Sequence, residues 1–459
     1  MQKALEYAQS HAAQFQNELN DLIRIPSVST DSAYNVQVRQ AADWLMTHLQ
    51  QIGLETELIE KEGRHPLVYA YWLGAGENAK TVLIYGHYDV QPAQKSDGWD
   101  TEPFEPVEKD GILYARGTTD DKGQVFAHIK AIEAVLKAEG RLPVNVKLLI
   151  EGEEESGGEH ISDYVPANPE KFAADVCVIS DSSMTTPDQP VILNGLRGGT
   201  VFEVTLQGPK QDLHSGSFGG TVQNPIHALV ELLGKLHDSE GRILVPGYYD
   251  AVRTLSDAER QEIADTQMDE AEWKDATGAS RPFGEPGFTL SEQIGARPTL
   301  EITGIGGGYF ERGFKNIVPQ KAWAKISCRF VPDQDPTTVQ KQVIDFLRQN
   351  VPLGVTLDVA IPNNRVGSPA VLVNTDNPAM QAAIRAYTNG WGAAPVFRRE
   401  GGSIPIVGIF QNVLRMPVIL MGFGLNTDGL HGPNEHFDLR LFHRGIRTSI
   451  HFLHEAANI

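Results

Sequence analysis

Val82-Leu83-Ile84-Tyr85-Gly86-His87-Tyr88-Asp89-Val90 opens a stretch that closes at Arg116-Gly117-Thr118-Thr119-Asp120-Asp121-Lys122-Gly123. The apolar run Val82 to Tyr85 has the length of a buried strand, and His87 falls where it ends. Asp89 stands two residues on, where a carboxylate can hold the second ring nitrogen of a histidine that offers the first to a metal. Asp120 falls at another edge, between a loop and the start of a helical pattern. A histidine and an aspartate at such edges can share a metal ion. A lone histidine at a strand end is more often packed or solvated than a ligand, so the reading rests on recurrence of the same arrangement downstream.

It recurs twice. Val144 to Ile150 is an apolar strand running into Glu151-Gly152-Glu153-Glu154-Glu155, and Val176 to Ile179 is another, ending at Ser180-Asp181. The segment Asp121 to Glu139, between the run Val82 to Tyr85 and Val144, has a helical period and stops at Gly140. Strands alternating with helices predict a largely parallel sheet, and open α/β sheets bind ligands outside the carboxyl ends of their strands. That places His87, Glu154, Glu155 and Asp181 along one rim. Gly429-Leu430-His431 follows the strand Pro417 to Met421 and adds a second histidine. His87, Asp120, Glu155, Asp181 and His431 suit two divalent ions with one carboxylate bridging. Nitrogen and oxygen donors without thiolates favour Zn, Mn or Co at a site unlike a structural zinc site. Of the adjacent Glu154 and Glu155, one can bind metal while the other moves protons.

The remainder of the chain sets the organisation. Two helices, Ala4 to Ile23 and Val36 to Ile52, precede the strands Leu54 to Glu60 and Leu67 to Leu73. After Leu196-Arg197-Gly198 the character changes. Thr200 to Leu206, the helix Gln223 to Leu236, Thr299 to Thr303, Ala322 to Val331, the helix Thr337 to Gln349 and Val355 to Ile361 make an α+β unit. Gly247 to Glu292 reads as a polar, irregular insertion. From about Asn374 the α/β style returns, with helices over Asn377 to Tyr387 and Phe437 to Leu453. The expected fold is α/β: a mixed, largely parallel sheet flanked by helices, formed by residues 1–195 and 366–459, with a ferredoxin-like α+β domain inserted at 196–365.

Composition narrows the function classes. The 459 residues carry a formal net charge of −20, which disfavours nucleic acid and anionic membranes as partners. Cys177 and Cys328 each sit in an apolar run and read as reduced core residues. The N-terminal segment has no signal-peptide pattern and no run spans a bilayer, so a cytoplasmic protein is expected. Gly304-Ile305-Gly306-Gly307-Gly308 lacks the third glycine and the helix of a dinucleotide site.

These motifs, with Val90-Gln91-Pro92 and Ser156-Gly157, resemble the dinuclear zinc peptidase family of carnosinase-like dipeptidases, aminoacylases, carboxypeptidase G and succinyl-diaminopimelate desuccinylase. The resemblance covers nearly the whole chain. It implies that His87 and Asp181 hold one metal, Glu155 and His431 the other, that Asp120 bridges, and that Glu154 is the general base. It also implies a cis peptide bond after Asp120. In the inserted domain it implies that His214 reaches into a partner subunit's site to stabilise an oxyanion, which makes the inserted domain a lid and dimerisation domain and the protein a homodimer. Asn316 resembles a further contact from the partner. Arg329 resembles the arginine that grips the substrate's terminal carboxylate, as does the loop Arg399-Glu400-Gly401-Gly402-Ser403, where Ser403 and the backbone at Gly402 hold the same group and Glu400 meets the amine. Gln91-Pro92 and the aspartate at 181 resemble the dipeptidase branch. The expected activity is metal-dependent dipeptide hydrolysis. The competing readings are an N-acyl amino acid deacylase or carbamoylase and, in another class, a metal-free binding protein.

Overall fold

The computed structural model describes residues 1–266, 268–362, 367–402 and 404–459. The chain divides into two compact units. The first comprises Met1–Asn194, Val373–Phe397 and Ile406–Ile459; the second comprises Gly195–Leu372 and Arg398–Pro405. The boundary expected between 365 and 366 falls outside the described residues.

The first unit is built on a mixed sheet. Its strand order is Glu55–Ile59, Leu67–Trp72, Asn145–Glu151, Thr81–His87, Val176–Ile179, Val418–Met421, then the start of Val191–Leu196. The centre is parallel, from Asn145–Glu151 to Val418–Met421, and both flanks are antiparallel. The central strands are apolar throughout because helices cover both faces of such a sheet. Register sets their carboxyl ends side by side: His87 lies opposite Glu151, and Tyr85 opposite Ile179. His87, Glu154, Glu155 and Asp181, which end or follow these strands, are thus brought to one edge by strand pairing.

The helix Lys122–Glu139 is buried on all sides over its first four turns and packs against Leu439–Glu455 and the N-terminal helices. Its burial of Lys130 needs explanation. The ammonium is wholly buried and donates to Glu133 Oε2 and to His48 Nε2, both at 2.7 Å, and to Glu18. Burial, and then the charge of Lys130, hold His48 down to about 4, so it accepts as a neutral ring. The cluster of Glu18, His48 and Glu133 has the look of a metal site, but Lys130 already supplies its cation.

The second unit contains a four-stranded antiparallel sheet in the order Thr299–Gly307, Lys321–Phe330, Gly198–Gln207, Thr356–Ala360. With the helices Pro225–Leu233 and Pro336–Gln349, this is the ferredoxin-like arrangement. Phe202, Val204, Leu206, Ile326, Cys328, Leu229, Leu232, Val343 and Leu347 form its core. Arg329 falls on the opposite, half-buried side of its strand.

Two expectations are corrected. The helix read over Ala4 to Ile23 is two helices, Gln2–Ser10 and Ala12–Ile23. Ser10 Oγ bonds back to Tyr7 O at 3.0 Å, a local alternative to the helical ladder. The segment read as irregular over Gly247 to Glu292 contains Asp257–Asp265, Glu270–Thr277 and the start of Leu290–Ala296. Two of these begin with capping boxes, Ser256 with Glu259 and Thr289 with Glu292.

Lys130→Ala should destabilise the first unit by about 3–5 kcal/mol, because it leaves Glu133 buried without a counter-charge. Urea unfolding measures this, and a loss below about 1 kcal/mol, the size of an exposed pair, would contradict the electrostatic account.

Candidate metal centre

The ring of His87 owes its orientation to a backbone group. His87 Nδ1 bonds to the carbonyl oxygen of Asp89 at 3.0 Å. A carbonyl only accepts, so Nδ1 carries a proton and Nε2 is the nitrogen that would offer its lone pair to an ion. Sequence reasoning gave this task to the Asp89 carboxylate, but that group lies 3.5 Å from Nδ1. Its oxygens are taken up elsewhere. They accept from Glu154 N at 3.2 Å, from Glu155 N at 3.0 Å and from Ser29 Oγ at 2.6 Å. Asp89 therefore joins the His87 strand end to the turn that carries the two glutamates. Gly157 and Gly158, both left-handed, let that turn reverse tightly.

Asp120 faces both histidines. Its Oδ1 lies 3.1 Å from His87 Nε2, and its Oδ2 lies 3.0 Å from His431 Nε2. Glu155 Oε1 is 3.4 Å from the same His431 nitrogen, and Asp181 Oδ2 is 4.0 Å from His87 Nε2. Donor atoms of His87, Asp120 and Asp181 lie within 4.8 Å of one another, as do those of Asp120, Glu155 and His431. The two groups share Asp120. Glu154 belongs to neither. The peptide bond between Asp120 and Asp121 is cis.

Residues that sequence reasoning passed over support the centre. Glu435 is fully buried and accepts from the backbone N–H groups of Gly117, Thr119 and Asp120 at 3.0 to 3.1 Å. Arg116 Nη1 donates to Glu435 at 2.7 Å, while its Nη2 donates to the carbonyls of His431 and Gly432 at 3.0 and 3.1 Å. Gln91 Nε2 donates to Glu155 Oε2 at 2.7 Å, leaving Oε1 for His431. Their signal in the sequence was weak: Arg116, Gln91 and Glu435 lie inside or beside the ligand motifs but carry no donor spacing of their own.

Electrostatics fit a cation site. Burial, then the neighbouring Asp120, push the Asp181 carboxyl up to about 7. Burial also raises Glu154 well above the usual carboxylate range; His87 opposes this, and Asp181, Glu151 and Glu155 add to it. Hydrogen bonds to Asp120 and Glu155 raise His431 to about 10 against its partial burial. Burial acts to raise Asp120 too, but His431 and His87 hold it below the usual range. Histidine protons offset part of this crowding of carboxylates. Divalent ions would take their place, and the nitrogen and oxygen donor set suits Zn, Mn or Co.

The other candidates lie in the second unit and are described within it. His214 is exposed on a two-stranded ribbon, opposite Ile317. Its Nδ1 accepts from Gly216 N at 3.0 Å, so Nε2 carries the proton and is a donor. Asn316 is exposed on the same ribbon, its carbonyl bonded to Ser215 N at 3.0 Å. Arg329 lies opposite Gly199 and Thr299 in the sheet. Glu400 is paired with Arg398, and Gly402 is exposed. Ser403 lies outside the described residues.

Gln91→Ala should weaken binding of a divalent ion by about 10–100-fold, because it releases Glu155 Oε2. Titration with a chromophoric metal chelator measures this, and unchanged affinity would show Gln91 to be a bystander.

The chain is 34% identical over 472 residues to the Cys-Gly metallodipeptidase of Schizosaccharomyces pombe, covering 100% of this chain and 99% of that one. Human carnosine dipeptidase 1 superposes with a TM-score of 0.85 at 32% identity, over 100% of this chain and 99% of that chain. An M20 family metallo-carboxypeptidase from Sulfolobus solfataricus superposes with a TM-score of 0.86 at 30% identity, over 97% and 99%. The family model of peptidase family M20/M25/M40 matches residues 83–455, and the chain belongs to that family of metal-dependent peptidases.

Proposed function

We propose that this protein hydrolyses dipeptides at a centre of two divalent ions, probed most directly as zinc. The observation that carries the reading is the sharing of Asp120 by two donor groups, one oxygen toward each histidine. His87 and Asp181 complete one site; Glu155 and His431 complete the other. Bound there, the ions would supply Lewis acidity toward the peptide carbonyl and make water a better nucleophile at neutral pH. The relatives named as dipeptidases support the substrate class.

The residues supply the rest of the chemistry. Glu154 is the general base: it stands beside the donor groups without belonging to either, and burial raises its proton affinity. It takes a proton from the attacking water and returns it to the leaving amine. Asp89 orients Glu154 through the backbone rather than touching substrate. His214 donates from Nε2 to the oxyanion of the tetrahedral intermediate, the tautomer for which Gly216 N selects. Arg329 and the backbone at Gly402, with Ser403, receive the substrate's carboxylate; Asn316 and Glu400 make further contacts. The protein acts as a homodimer, with the second unit as the lid and dimerisation domain and His214 serving the partner's centre. In support, that unit exposes Val201, Phe218, Ile305, Phe310 and Phe314. We further propose a cytoplasmic location. The free, buried Cys177 and Cys328 suit a reducing compartment, and no described helix is long and apolar enough to cross a membrane.

Elemental analysis of the active enzyme should give two ions per chain. Glu154→Gln should keep both while turnover falls by about 10²–10⁴-fold. Loss of metal with that substitution would move Glu154 into the ligand set and overturn the assignment.

Subunit exchange tests the homodimer. Mixing the inactive His214→Ala chain with the inactive Glu154→Gln chain creates one doubly defective and one intact centre per mixed dimer. Up to about half of wild-type activity should return, since each lesion alone costs orders of magnitude. No recovery despite demonstrated exchange would mean that His214 does not act on a partner.

A further inference from the structure

The segment from Gly247 to Arg297, which includes the insertion, supplies none of the donor groups, yet it grips the loop that carries Glu400 and Gly402 within the same unit. Arg399, its side chain 6% exposed, donates from Nη2 to Glu259 Oε1 at 2.8 Å. The other oxygen of Glu259 accepts from Ser256 N and Ser256 Oγ at 2.9 and 3.0 Å, at the capped start of Asp257–Asp265. Burial opposes the charge on Glu259, but Arg399 and Ser256 hold its carboxyl down to about 2.

A second grip comes from Arg197, just before the strand Gly198–Gln207. Its backbone N donates to Glu400 O at 3.2 Å, and its Nε to Gly401 O at 3.3 Å. Its Nη1 donates to Arg297 O at 3.3 Å and Gln293 O at 3.5 Å. The loop and the helix Leu290–Ala296 are in closest approach here. A Cβ on Gly295 would stand 2.6 Å from the Arg399 Cβ, and one on Gly401 would stand 2.4 Å from Arg197 Nη2. Burial, and then the charge of Arg329, bring Arg197 down to about 10. Arg197 stands two residues before Gly199, the register partner of Arg329, and the planar fork of Arg329 suits a carboxylate.

We infer that Arg197 and Glu259 are positioning residues that hold the Arg399–Gly402 loop in register with Arg329, and so make the enzyme select peptides ending in a free carboxylate over the same peptides ending in an amide. The inference rests on the proposed function, in which Arg329 and this loop receive that carboxylate. Glu259 works through Arg399, and Arg197 through the loop carbonyls and its field at Arg329.

The test compares kcat and KM of the metal-loaded enzyme for a dipeptide and its C-terminal amide, with inhibition by the free amino acid product and its amide as a second readout. Glu259→Gln and Arg197→Ala should each raise KM for the acid by about 10-fold or more, the size of a lost charge-assisted hydrogen bond, with kcat within about threefold. The amide should change little, so the acid-to-amide ratio falls by the same factor. Arg197→Lys keeps the charge without the planar fork and should recover part of the ratio. Equal losses for acid and amide, or a loss in kcat alone, would overturn the inference. Should Arg197→Ala fail to fold, Glu259→Gln decides alone, and an unchanged ratio there also overturns it. Arg329→Ala separates the two levels. If it leaves the ratio unchanged, the carboxylate reading itself falls. If it collapses the ratio while Glu259→Gln does not, only the positioning role falls.

Discussion

The candidate metal centre depends on a buried ion pair beside it. Arg116 and Glu435 are both nearly inaccessible, and each makes bonds beyond the pair. Glu435 gathers three backbone N–H groups of the loop that carries Asp120, and Arg116 gathers two carbonyls beside His431. Taking two charges out of water is costly, and a bare pair does not recover that cost. Here every side-chain nitrogen and oxygen of the pair but one, Arg116 Nε, has a hydrogen-bond partner. The result is that Asp120 and His431, far apart in sequence, meet with a carboxylate oxygen 3.0 Å from a ring nitrogen.

Asp89 plays the matching part on the opposite side of Asp120. Its carbonyl fixes the His87 ring, and its carboxylate fixes the turn of Glu154 and Glu155. One residue thereby sets a donor histidine, a donor glutamate and the residue proposed as base. The two adjacent glutamates diverge because they leave a single-turn helix, where consecutive side chains do not share a face. That difference lets one of them join a donor group while the other stays outside both.

Much of this was legible in the sequence. The apolar strands Thr81–His87, Asn145–Glu151 and Val176–Ile179 announce themselves because a parallel core must be apolar on both faces. Their carboxyl ends then name the ligand candidates. The order of strands and helices after Arg197 likewise gave the ferredoxin-like unit. What stayed hidden were interactions that periodicity does not encode. Asp89 was assigned to the right partner through the wrong group, because a sequence shows a carboxylate but not which carbonyl lies nearer. Glu435, Arg116 and Gln91 act through contacts of long sequence separation. The helices of the insertion were missed for another reason. Asp257–Asp265 is short and mostly polar, so it offered little apolar stripe, and the evidence lay in the capping pairs Ser256–Glu259 and Thr289–Glu292.

The pairing of Arg116 with Glu435 also has a consequence in time. A chain is made from its N-terminus, so the Asp120 loop leaves the ribosome more than three hundred residues before the carboxylate that gathers it. Until then the N–H groups of Gly117, Thr119 and Asp120 lack that partner, and one donor group lacks its histidine. A nascent chain can pair its first parallel strands and carries four of the five donor candidates, but it lacks His431. The second donor group is therefore completed only when the segment of His431 and Glu435 has been made.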